Sequence, residues 1–281
     1  MTRRPHLLLL LRALSVVPML LAAACAVSPR ALDDAALPRL RAARFILLGE
    51  VHDSATQHRM RAALLAELLA DGRPTTVVFE QMGRAEDSAI ASAPRDAEAI
   101  VDAGRLDRKG WGWPLHKPLF DAAIAASARI AGGNLEAAQV RAIVRGGLAA
   151  VPADLRPLLE GPGWGARQQQ ALEREIDLGH CHALPAAQWP AMALAQRARD
   201  AALAQALLSA AVNGGRAVLI AGNGHVQLDL GVPHYLRAAG VPAAQIVAIG
   251  YLEEDERHAP YDYVQLTART PRDDPCAAFA K

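Results

Sequence analysis

The stretch "FILLGEVHD", residues 45–53, decides how this chain reads as a fold. Four apolar residues run without alternation into Gly49, and Glu50 and His52 follow. A strand with one face in water alternates apolar and polar residues, whereas an unbroken apolar run suits a strand buried on both faces, as in parallel sheets covered by helices. "TTVVFE", residues 75–80, has the same character and ends on Glu80. "AVLIAGNGHVQ", residues 217–227, ends its apolar run at Gly222 and then presents Asn223 and His225. Between the first two runs, Met60, Leu64, Leu65 and Leu68 recur at helical spacing, which predicts a helix from about Ala55 to Ala70.

The remaining chain extends this pattern. "RIAGGN" and "QIVAIG" read as further strands, and "YDYVQL" as a final strand at the sheet edge. Helices are expected over residues 135–147, 167–177, 190–208 and 232–239. No repeat of solenoid period is visible. The expected architecture is α/β: a mainly parallel sheet flanked by helices, with an alanine-rich helical lid or insertion around residues 85–180.

The N-terminus reads as an export signal. "MTRRPH" is basic, and the apolar run of residues 7–25 is broken by Arg12 and Pro18, leaving no segment long enough to span a bilayer. The run ends "LAAAC", whose small residues before a cysteine resemble a bacterial lipobox. Cleavage is therefore expected after residue 24, with lipid on Cys25, residues 25–40 as a tether and residues 41–281 as one domain. That layout predicts a lipid-anchored protein of the bacterial cell envelope facing the periplasm, with the outer membrane as the expected site. A formal net charge of +1 leaves no basic surplus to neutralise phosphates, so a nucleic-acid partner is not expected. Of the three cysteines, Cys181 and Cys276 remain beside Cys25. They are either a disulfide or two buried thiols, and an oxidising compartment favours the disulfide.

In open parallel sheets, ligands bind beyond the carboxyl ends of the strands. Glu50, His52, Glu80, Asn223 and His225 all follow or end apolar runs, so they are expected around one crevice. Two carboxylates and two imidazoles there are able to bind a metal ion or activate water.

Five stretches carry a family resemblance: "LLGEVHDSATQHR", "VVFEQM", "WGWPLHKPLF", "LPAAQWPAMALAQRARDAALAQAL" and "IAGNGHVQLDLGVPHYL". Together they resemble the ChaN family, haem-binding lipoproteins of iron uptake within the wider TIKI/TraB/erythromycin-esterase group. The resemblance runs from about Arg44 to Leu252. It implies haem as cofactor, held partly by the lid and across a homodimer. In "GWGWPLHKPLF", residues 110–120, Trp111, Trp113 and Phe120 offer flat apolar surface. His116 stands where the family often has an iron-ligating tyrosine, so His116 is the expected iron ligand, with Trp113 against the porphyrin and Lys117 beside a propionate. Arg199, or Arg197 on another face of the same helix, is expected to hold a carboxylate or phosphate at the rim. His180 and His182 flank Cys181 as a weaker metal candidate. The wider group also implies an alternative function, a metal- or water-dependent hydrolase acting through Glu50, His52, Glu80 and His225; no G-x-S-x-G nucleophile motif is present.

Overall fold

The computed structural model describes residues 30–253 and 260–277. The leader, residues 1–24, and Cys25 lie outside them. Among the described residues seven strands, β1 (Arg30–Ala31), β2 (Phe45–Leu48), β3 (Thr75–Gly83), β4 (Arg129–Asn134), β5 (Arg216–Ile220), β6 (Ile246–Leu252) and β7 (Tyr263–Leu266), form one sheet in the order β1-β7-β6-β2-β5-β3-β4. Every pairing is parallel.

The unbroken apolar runs are explained by burial on both sheet faces. In β2, Ile46 and Leu48 join Val77, Phe79, Val218, Ile220, Val247 and Ile249 in one core, while Phe45 and Leu47 join Val78, Leu219 and Ile246 in the other. The first core is closed by α2 (Ala55–Leu69), through Leu65 and Leu68, and by α5 (Lys117–Ala125), through Leu119 and Phe120. The second is closed by α6 (Ala137–Gly146), α9 (Trp189–Ala210) and α11 (Val232–Ala238), through Ile143, Leu203, Leu207, Tyr235 and Leu236. The other helices are α1 (Leu37–Ala42), α3 (Asp87–Ser92), α4 (Ala97–Ala103), α7 (Arg156–Leu159), α8 (Ala166–Gly179) and α10 (Asn223–Val226). Among the described residues no helix is long and apolar enough to cross a membrane.

Three expectations are revised. The strand containing "YDYVQL" is not the edge, because β1 pairs along its outer side. Part of the expected tether is folded: Leu40 of α1 and Ala36 before it are buried in the first core, an apolar burial that Pro38, at the start of the helix, does not oppose. And β3 does not end at Glu80. It continues to Gly83 after a register shift against β4 between Phe79 and Gly83. Such an irregularity re-aims side chains beside a site.

The strand order places the crevice. From β2 the chain crosses through α2 to β3, beyond β5, and from β5 it crosses to β6, beyond β2, so the connections run in opposite directions across the β2–β5 pair. The space beyond the carboxyl ends of such a pair is where open α/β sheets bind ligands. Elsewhere, a disulfide joins Cys181, in the turn after α8, to Cys276, with Cα atoms 5.5 Å apart.

Candidate functional site

Glu50 follows β2 after the single residue Gly49, and its carboxylate is wholly buried. Burial alone would raise its pKa, but Arg61, His116 and His52 outweigh it and hold the carboxyl well below the ordinary range. Arg61, from α2, pairs with Oε2. On Oε1 the carboxylate accepts from His52 Nδ1 at 2.6 Å, from His116 Nε2 at 3.0 Å and from Gln81 Nε2 at 3.2 Å. His58, one helical turn before Arg61, donates from Nε2 to the His52 carbonyl at 2.9 Å and accepts from Arg61 on Nδ1 at 2.7 Å. That pattern is the neutral tautomer. It agrees with a pKa lowered to about 4 by burial, with Arg61 and His116 adding to the effect against Glu50. Glu50, His58 and His116 stand close enough together for one metal ion. Arg61 already occupies Glu50 Oε2 and His58 Nδ1, so the guanidinium is the cation of this cluster.

A second cluster faces the first across the crevice. Glu80 Oε2 accepts the Gly222 N–H at 2.7 Å, and its Oε1 accepts from Arg199 at 2.6 Å and from His225 Nε2 at 3.2 Å. His225 donates its other proton, on Nδ1, to Asp200 of α9 at 2.6 Å. An imidazole donating from both nitrogens is an imidazolium. Burial opposes that charge, yet Glu80 and Asp200 outweigh burial and raise the His225 pKa to about 9. Glu80 is correspondingly lowered: burial would raise it, but His225 and Arg199 prevail.

Between the clusters stands His52. Its side chain is 50% exposed while Glu50 behind it is sealed. A Cβ on Gly222 would come within 2.8 Å of His52 Cε1, so the imidazole lies flush against a backbone that only glycine leaves open. Trp111 meets the same ring edge-on at 4.8 Å between centroids. Burial lowers the His52 pKa, but the Glu50 contact outweighs it and the net shift is upward. Around His52 opens a cleft of about 640 Å³, lined among others by Glu80, Trp111, Gln196, Arg199 and His225.

The crevice thus brings together Glu50, His52, Glu80, His225 and Arg199. Other expected residues stand differently. His116 is 0% exposed, with Nε2 spent on Glu50 and Nδ1 buried without a partner, so no porphyrin face reaches it in this arrangement. Its position at the start of α5 turns it inward against His58, at 4.1 Å between rings. Lys117 pairs along α5 with Asp121 at 2.8 Å and does not line the cleft. Trp113 packs on Phe120 and donates to Glu98; its neighbour Trp111 is the indole at the cleft. Asn223 lines the cleft, but its amide is engaged with the Tyr251 backbone at 2.6 and 3.1 Å. Arg197 turns away, with its guanidinium over Trp164 at 4.3 Å. His180 and His182 are tied to the Ile176 carbonyl and to Asp177, outside the cleft.

The sequence reading missed His58, Arg61, Gln81 and Asp200. One signal existed for the first two: Gln57, His58, Arg61, Leu65 and Leu68 form one buried face of α2, so polar residues continue an apolar stripe.

A model of the family described as haem-binding uptake, Tiki superfamily, ChaN, matches residues 36–236. Among solved structures, the chain is similar to ChaN of Campylobacter jejuni, a structure of cofacial heme binding, with a TM-score of 0.66, 20% identity, and 81% of this chain and 89% of that one covered. It is more distantly similar to an erythromycin esterase in its open conformation, with a TM-score of 0.43, 15% identity, and 77% and 71% covered. A protein from Bacillus cereus gives a TM-score of 0.47 at 11% identity, with 86% and 74% covered. No curated protein matches by sequence.

Proposed function

Because the chain belongs to the ChaN family of haem-binding uptake proteins in the Tiki superfamily, we propose that it takes haem in the cleft at the carboxyl ends of β2, β3 and β5, as a lipid-anchored protein of the bacterial cell envelope facing the periplasm. The observation that carries the site is His52. Its Nδ1 is held by a buried carboxylate, and half of the side chain faces the cleft. Metal-ligating histidines characteristically donate their other N–H to such a carboxylate, which fixes ring orientation and raises basicity. Trp111 supplies a flat apolar wall, the glycine at 222 leaves backbone close to the ligand, and Arg199 offers a guanidinium to a carboxylate at the rim. This donor set fits haem. When bound, haem would supply an iron able to take an imidazole nitrogen. His52 would hold it, Glu50 would keep the ring oriented, and His116 would act through Glu50 rather than on the iron.

Cofacial binding, as described for the Campylobacter jejuni protein, would require two copies to bring their clefts together, so haem is expected to promote a homodimer. Haem titration followed by absorption tests the site. His52→Ala should lose the Soret shift and His52→Gly should regain it with added imidazole; a Soret shift unchanged in His52→Ala refutes the assignment. Sedimentation with and without haem tests the dimer, and mass spectrometry of the mature N-terminus tests lipid on Cys25.

One observation favours hydrolysis as a second reading: two imidazoles, each backed by a buried carboxylate, face the same cleft. His225 is held protonated at neutral pH, which removes it as a base and leaves only an acid role. Turnover of model esters that is lost in His52→Ala would support this reading over simple binding.

A further inference from the structure

Outside the cleft, the loop before α8 and the helix α11 enclose a separate pocket of about 400 Å³, lined among others by Gly163, Arg167, Gln168, Asp229, His234 and Arg237. His234 is the anomaly. It is 7% exposed, makes no hydrogen bond among the described residues, and stands edge-on to Trp164 at 5.3 Å between centroids. Its ring nitrogens have no protein partner among those residues and open onto the pocket, where a ligand is able to meet them. Arg167, in the first turn of the 14-residue α8, makes neither an ion pair nor a hydrogen bond among the described residues. Arg237, at the end of α11, donates one guanidinium N–H to the Leu228 carbonyl and retains further donors.

The first turn of α8 adds backbone N–H groups without intrahelical acceptors and the positive end of the helix dipole. Gly163, at φ +97, turns the backbone there and leaves His234 Cε1 only 3.3 Å from where a Cβ would stand. Among the described residues Asp229 is the one acid lining the pocket, against two guanidinium groups. The positive surroundings are felt by His234, whose pKa is lowered by burial first and by Arg237 and Arg197 next.

We propose that this pocket binds a phosphate group, with Arg167 and Arg237 as its charge partners and His234 as the buried donor. Two guanidinium groups, an imidazole with no protein partner among the described residues and a helix N-terminus together match an oxyanion with several acceptor oxygens. The pocket is independent of the haem cleft, with which it shares no lining residue.

The test uses the full protein with 13C-labelled histidine at fixed ionic strength, titrated separately with inorganic phosphate and with glycerol 3-phosphate and compared with chloride. The His234 resonance, assigned by its loss in His234→Gln, should shift saturably and its pKa should rise on binding. Arg167→Ala, a change at an exposed position, should weaken the response about tenfold or more. Stronger binding of the ester would identify an esterified ligand, and equal binding the free ion. No saturable shift with either compound, or the same shift in Arg167→Ala as in the unaltered protein, overturns the proposal.

Discussion

Replacing Glu50 by glutamine removes one charge from a pair whose two side chains are both wholly buried. What remains around Arg61 is poor. His58 Nδ1 still accepts, the Leu48 carbonyl is 3.4 Å away, and Arg61 Nε has no partner even now. Stranding a buried charge by deleting its partner costs about 3–5 kcal/mol, a large part of a total stability of about 5–15 kcal/mol. For a domain of this size, roughly 2–4 °C of melting temperature accompany each kcal/mol, so Glu50→Gln should melt about 6–20 °C lower. Thermal and urea unfolding of the haem-free protein at pH 7 measure this. The diagnostic variant is Glu50→Gln with Arg61→Met, which removes both charges. Because the penalty comes from the unpaired ion, the double variant should recover to within about 1 kcal/mol of the unaltered protein. Single-variant losses below about 1 kcal/mol, or a double variant whose loss equals the sum of the singles, would show that the pair is not what holds the crevice.

Further outcomes are expected. His225 in the folded protein keeps a proton to about pH 9 that the unfolded chain releases near 6.5; its stabilisation is therefore complete below pH 6.5 and lost as pH rises through 9, and Asp200→Asn should flatten that decline in melting temperature. His58 has the opposite sign: its pKa is lowered to about 4, so its contribution is complete above pH 6.5 and lost as pH falls through 4, where protonation of Glu50, lowered from its usual range, adds to acid unfolding. Gly222→Ala places a methyl 2.8 Å from His52 Cε1, so haem affinity measured by titration should fall more than the melting temperature does. Reducing the Cys181–Cys276 bond, which spans 95 residues, should lower the urea midpoint, with a chain-entropy ceiling of about 4–5 kcal/mol.

The parallel α/β core was legible in the sequence because it depends on local pattern. Strands buried on both faces cannot alternate, so "FILL" and "AVLI" announce themselves, and each neighbour closes its own core by the same rule. The place of Glu50, His52, Glu80 and His225 followed from it, since residues just beyond parallel strands share one rim. What the sequence could not decide was which histidine faces outward. In the sequence His116 follows two tryptophans and His52 follows none, yet the packing of α5 against α2 turns His116 inward while Gly222 leaves His52 room at the cleft. The charge partners were equally hidden. Arg199 meets Glu80 across 119 residues and Asp200 meets His225 across 25, distances over which periodicity carries no information. Arg61 sits in a stripe of α2 that also contains Leu65 and Leu68, and only the buried carboxylate opposite it makes a charge there tolerable.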